Sequence, residues 1–242
     1  DKALKKQYIT AGAVCGAMLA ISVNFQQFGI SAYPAGAAAE ARSGFITALY
    51  VVFVPLLSFF FGKKVSPVIW ASVAVAVVGF YMLCLSGGIS GIYTADILVF
   101  ICAFCFAGQI ISVDKFVGLT GGVKLSVMQF TVAGALSAVF AVIFERPTFD
   151  NIIAAAPQIL YLGIVSSGVG YTLQIVGQKY AEPSVASLSM SLESVFAALG
   201  GWLISGNTLT GREFIGCALV FAAIIVAQIP EMAGSRKRAN SP

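Results

Sequence analysis

Long apolar runs alternate with short breaks of turn residues along the whole chain. A transmembrane helix needs about 20 mostly apolar residues. That rule predicts spans at roughly residues 8–31, 44–61, 66–86, 96–113, 124–144, 154–178, 184–205 and 211–229. Between them lie Pro34, Gly62-Lys63-Lys64, Gly87-Gly88, Gly121-Gly122, Arg146-Pro147, Glu182-Pro183 and Gly206-Asn207. Such residues end helices and open turns. The expected fold class is an all-α membrane protein, a polytopic bundle of about eight transmembrane helices.

Composition agrees with this pattern. Of 242 residues, 59% are hydrophobic and 10% are charged. A soluble domain carries about 25% charged residues to solvate its surface, so lipid must be the solvent for much of this chain. The net charge of +4 does not point to nucleic acid, because the basic residues sit singly or in short clusters between apolar runs. The expected partners are the lipid bilayer and a small-molecule substrate, with the chain a monomer or a homodimer. The five cysteines lie in or beside apolar segments, and an odd number there argues against a disulfide framework. They read as small packing residues. Cys102 and Cys105 form a C-x-x-C, but the chain has no histidine and no second pair, so neither a metal nor a cofactor is expected. Lys2, Lys5 and Lys6 lead into a long helix without a cleavage-like site, so no signal peptide is expected.

Lysine and arginine set the expected orientation. With the N-terminus in the cytoplasm, Lys2, Lys5, Lys6, Lys63, Lys64, Lys115, Lys124, Lys179, Arg236, Lys237 and Arg238 fall on the cytoplasmic side. Only Arg42, Arg146 and Arg212 fall opposite. Both termini are therefore expected in the cytoplasm, and the chain in the inner (plasma) membrane.

The first and sixth spans share a pattern. Ala20, Asn24, Gln27 and Ser31 correspond in spacing to Ser167, Tyr171, Gln174 and Gln178, and Gly16, Gln27 and Tyr33 meet identical residues at Gly163, Gln174 and Tyr180. The two spans run in opposite directions in the charge-based topology. Inverted repeats with a substrate site near the midplane are a common construction in secondary transporters.

Polar residues inside the spans carry the candidate chemistry. Asn24, Gln27 and Ser31 recur at helical spacing, as do Ser167, Tyr171, Gln174 and Gln178, and Cys102, Cys105, Gln109 and Ser112. Each set shares a face, and a polar stripe in hydrocarbon must meet a partner or a wet cavity. Helix-to-helix bonding is one reading; the lining of a shared central cavity is the other. In the seventh span, Ser187, Ser191 and Ser194 lie on one face, and Glu193 stands near mid-membrane about a third of a turn away. Glu193 is either a substrate or proton contact or a neutral structural pin. Gly12-x-x-x-Gly16 and Ala133-x-x-x-Ser137-x-x-x-Ala141 are close-packing signals.

Two stretches resemble a known family. Phe45-Ile-Thr-Ala-Leu-Tyr-Val-Val-Phe-Val-Pro55-Leu-Leu is similar to the first repeat of the EamA-type drug/metabolite transporters. Ala186-Ser-Leu-Ser-Met-Ser-Leu-Glu193-Ser-Val-Phe-Ala-Ala-Leu-Gly-Gly-Trp202-Leu is similar to the second, and Gly206, Leu209-Thr210 and Gly216 to the helix that follows. The resemblance implies ten helices in two inverted five-helix repeats, cytoplasmic termini and a central cavity for a small metabolite. On that basis residues 1–90 are a partial first repeat of three helices, 91–230 a second repeat of five, and 231–242 a basic cytoplasmic tail. The family's first two helices are lacking, so a partial chain is expected. Residues 34–42 are longer than the family's usual turn.

The function expected is alternating-access transport of a small polar or amphipathic metabolite, amino-acid-like or otherwise, in the export direction. Asn24, Gln27, Tyr50, Gln109, Tyr171, Gln174, Ser191 and Glu193 are the candidate substrate-binding residues. The tyrosine rings would stack on apolar parts of the substrate while the amides bond its polar ends. An enzyme is not expected: there is no histidine for assisted serine or metal catalysis and no Gly-x-Gly-Asp motif. A channel is suggested by Ser167-Gly-Val-Gly-Tyr-Thr172, but a potassium filter needs a re-entrant loop, not a helix. A non-transporting structural or regulatory protein is the remaining alternative.

Overall fold

The computed structural model describes residues 2–34, 39–84, 92–145, 147–196, 199 and 210–239. Among them every regular element is helical. In chain order they are α1 (Lys2–Ser31), α2 (Ala39–Ala48), α3 (Tyr50–Phe60), α4 (Pro67–Cys84), α5 (Thr94–Thr120) and α6 (Gly122–Phe140). A π-helical turn, Ala141–Glu145, extends α6. Then follow α7 (Phe149–Ala154), α8 (Ala156–Leu160), a π-helix over Tyr161–Tyr171, α9 (Thr172–Gln178), α10 (Pro183–Met190), α11 (helical over 192–196) and α12 (Gly211–Ala239).

Six described segments are long and apolar enough to cross a membrane: Lys6–Ser31, Arg42–Phe60, Thr94–Thr120, Gly122–Glu145, Ala156–Gln178 and Gly211–Ile229. Pro67–Met82 is a shorter apolar helix, and the segment expected at 184–205 lies partly outside the described residues. So do the breaks at Gly87-Gly88, Arg146 and Gly206-Asn207. Gly62 and Gly121, both expected in breaks, have φ +81°, a left-handed backbone that glycine adopts without strain. At the start of α12, Thr210 Oγ1 accepts from the Glu213 backbone N–H (3.3 Å) while a Glu213 oxygen accepts from the Thr210 N–H (2.8 Å). This capping box satisfies donors that the first turn leaves open.

Local geometry adds detail within the expected segments. The turn expected over residues 34–42 is helical from Ala39 onward, and Arg42 is buried. The span expected at 44–61 is two helices that meet at Leu49. The span at 154–178 is a succession of short α- and π-helical pieces. Gly168 sits in the π-helix where a Cβ would lie 3.1 Å from the Gly163 carbonyl, so the wider turn is crowded toward a bulkier residue. Helix α12 continues through the segment expected as a tail.

The chain clusters into two compact units, each drawn from two stretches. The first comprises residues 1–24 and 108–182. In it α1 lies against α6 through glycines: a Cβ on Gly12 would fall 2.7 Å from the Met128 Cβ, and one on Gly16 would fall 2.6 Å from the Val132 Cβ. The close-packing signal in the sequence is thus a real helix crossing. The paired positions rise together, so α1 and α6 run the same way, as alternating spans require of the first and fifth. Helix α9 runs the other way along α6, with Gly122 against Val176 and Tyr171 edge-on to Phe130 at 6.0 Å. Ala11, Cys15, Val113, Val117, Leu125 and Ile175 form this unit's buried apolar cluster.

The second unit comprises residues 25–107 and 183–242. Its main seam joins α4 to α12: Ile69, Val73, Ala76 and Phe80 pack in one cluster with Cys217, Val220, Ala223 and Ile224. A Cβ on Gly79 would lie 2.8 Å from Val220 and 2.9 Å from the Gly216 carbonyl. Helices α3 and α10 add Val51, Val185 and Leu188 to the cluster. Phe53 meets the edges of Phe100 and Phe104 at 5.2 and 5.7 Å.

Candidate functional site

In the first unit, mid-helix amides tie neighbouring helices together. Gln109 of α5 is 1% exposed and donates from Nε2 to the Gln129 carbonyl oxygen of α6 at 3.2 Å. Gln129 is itself fully buried, and its own Nε2 has no hydrogen-bond partner. Asn24 of α1 donates from Nδ2 to the Ala20 carbonyl at 2.7 Å and to Ser137 Oγ of α6 at 2.9 Å. Asn24 and Gln109 therefore act here as interhelical bonds, one of the two readings open from sequence. Tyr171 closes the π-helix against Phe130, and Gln174, one turn on, is half-buried. Ser167 through Tyr171 are π-helical and Thr172 opens α9, so no filter-like loop exists at this sequence.

The second unit holds the other candidates. Gln27 of α1 is exposed, while its neighbour Gln26 reaches Thr47 Oγ1 at 3.2 Å. Tyr50 opens α3 and is half-buried. Ser191 is 1% exposed, and its hydroxyl donates to the Leu188 carbonyl of its own chain segment. Ser187 does the same to Ser184. These hydroxyls are satisfied locally, as serines in apolar helices often are. Glu193, on α11, is exposed.

The tightest polar cluster was not among the candidates. Arg42 Nη2 lies 2.7 Å from Asp96 Oδ2, and Arg42 Nε donates to Oδ1 at 3.3 Å. Tyr33 donates its hydroxyl to Oδ1 at 2.6 Å, and the Tyr93 backbone N–H donates to Oδ2 at 2.8 Å. The guanidinium stands 4.7 Å from the Tyr93 ring centroid and 5.9 Å from that of Tyr33. Each carboxylate oxygen accepts two bonds, the condition under which a buried ion pair is tolerated. Burial and the adjacent carboxylate hold the Tyr33 phenol above its ordinary pKa, so it remains a donor. A signal for the cluster existed in sequence, since Arg42 and Asp96 are opposite charges at the same expected membrane face. Gln129 also carried a signal, as an amide inside an apolar run.

The model of the EamA-like transporter family matches residues 93–228. The chain belongs to this family. Among its relatives, an Archaeoglobus fulgidus protein named only as an uncharacterized transporter is 32% identical over 189 residues. That match takes in 78% of this family member and 60% of the relative, so the chain spans less than two thirds of the relative's length. Another uncharacterized transporter of the same organism is 22% identical over 46% of the chain and 39% of its own. A solved crystal structure superposes on 93% of the chain and 87% of its own with TM-score 0.69 at 18% identity, which shows a shared fold. This EamA-like chain is an all-α, multi-pass membrane protein.

Proposed function

We propose that the chain is the membrane-embedded body of a transporter for a small polar or amphipathic metabolite, working by alternating access in the export direction. The observation that carries this reading is family membership, supported by relatives that bear the name transporter. Buried and half-buried amides within apolar helices add physical support, because such groups are costly in hydrocarbon without a partner. In the first unit the residues offered to substrate are Tyr171 and Gln174, and in the second Gln27, Tyr50 and Glu193; Asn24, Gln109 and Ser191 would join them only by giving up the bonds they make here. Gln174 and Glu193 carry most weight: both present polar groups in apolar helices, and Gln174 is less deeply buried than Gln109. The lysine asymmetry supports a plasma-membrane protein with both termini in the cytoplasm.

The test is thermal stability of the purified chain against amino acids, amines, sugars and nucleosides. A ligand that binds the folded state raises the melting temperature by mass action. The expected result is a hit from one chemical class, abolished by Gln174→Leu and by Glu193→Leu, with both variants still inserted. A hit that survives both substitutions would remove these residues from the site. No hit with any class would count against substrate binding by this chain.

A further inference from the structure

We propose that one end of the unit formed by residues 1–24 and 108–182 is a binding surface for anionic phospholipid headgroups. Four exposed lysines come from four helix ends: Lys6 on α1, Lys115 near the end of α5, Lys124 on α6 and Lys179 just after α9. Their grouping follows from contacts within the unit. Lys124 Nζ lies 5.9 Å from the Tyr8 ring centroid on α1, Gly122 packs on Val176 of α9, and the turn at Gly121 joins α5 to α6. Lys115 lies 5.7 Å from the Phe116 ring and Lys179 5.6 Å from the Tyr180 ring. None of the four lysines forms an ion pair among the described residues.

The unit is electrically lopsided. At the lysine end the described carboxylates are Asp114 and Glu182, fewer than the lysines. At the far end, Gly122–Glu145 has risen about 35 Å, close to a bilayer's full thickness. There the described charged side chains are Glu145 and Asp150, with Arg146 outside the described residues.

Geometry selects lipid over a soluble anion. The helices that end at the lysines are span-length and apolar, so their ends lie at headgroup depth. Lysine stems run along apolar surface and deliver the ammonium to that layer, and tyrosine rings favour the same level. The lysines come from separate helix ends and form a rim, which suits several neighbouring phosphates. An anionic leaflet attracts such clusters, and each neutralised lysine weakens the attraction by up to about five-fold.

The test uses the full chain in nanodiscs of phosphatidylcholine, with and without phosphatidylglycerol, read by melting temperature and by lipid retained after purification. Phosphatidylglycerol is expected to raise the melting temperature and to be retained, less so at high salt. The combined variant Lys115→Gln, Lys124→Gln, Lys179→Gln is expected to lose most of both effects, while the same positions changed to arginine keep them. If the glutamine variant fails to fold, the three single substitutions are expected to lose the effects in part. Lys63→Gln with Lys64→Gln, in the other unit, is expected to reduce them far less than the triple variant does. Undiminished effects in the glutamine variants, or an equal loss from the Lys63 and Lys64 changes, would overturn the assignment. A rise with inorganic phosphate in phosphatidylcholine discs equal to that with phosphatidylglycerol would also overturn it, in favour of a soluble anion.

Discussion

Helices are joined by opposite means in the two units. In one, Arg42 and Asp96 make a charged pair near helix ends, with every carboxylate lone pair engaged by Arg42, Tyr33 or the Tyr93 backbone. In the other, Gln109 and Gln129 make one neutral bond between α5 and α6 and leave an amide nitrogen of Gln129 unmatched. A full charge away from water is tolerated only when its partners are complete. An amide loses less by being half-satisfied, and interhelical bonds in membranes are individually weak. The ion pair thus fixes the end of α1 and the starts of α2 and α5.

This contrast sets an order of effects. Asp96→Ala strands a buried guanidinium and is expected to destabilise by about 3–5 kcal/mol, seen as a large drop in melting temperature in detergent. A loss smaller than that from any glutamine substitution would break the contrast. Gly16→Leu forces a side chain into Val132 and the Gln129 carbonyl and is expected to cost about 1–3 kcal/mol. An unchanged melting temperature would mean that α1 and α6 do not pack closely. Gln109→Leu strands the Gln129 carbonyl as well as its nitrogen, at about 1 kcal/mol, and adding Gln129→Leu should restore stability. A double variant as unstable as the summed singles would show that Gln129 has other work.

Much was legible in the chain itself. The apolar runs foretold where helices lie, because lipid demands long apolar segments with internally satisfied backbones. Gly62 and Gly121 foretold the turns, and Gly12-x-x-x-Gly16 foretold a crossing. Residues 186–203 carried the family resemblance. Asn24 and Gln109 stood out as polar groups inside apolar runs, and of the two readings open to them, helix-to-helix bonds or cavity lining, the structure shows the bonds.

Which partner each one found was decided only in three dimensions. Asn24 and Ser137 are 113 positions apart, Arg42 and Asp96 are 54 apart, and Gln109 and Gln129 are 20 apart. Such pairings depend on the register and rotation of whole helices, which an apolar run does not encode because lipid accepts any apolar face. The sequence determined a helical membrane protein of a recognisable family, since hydrophobicity and turn chemistry are local. Tertiary structure alone decided which charges and amides meet, since that requires two distant stretches to arrive at one depth on facing sides.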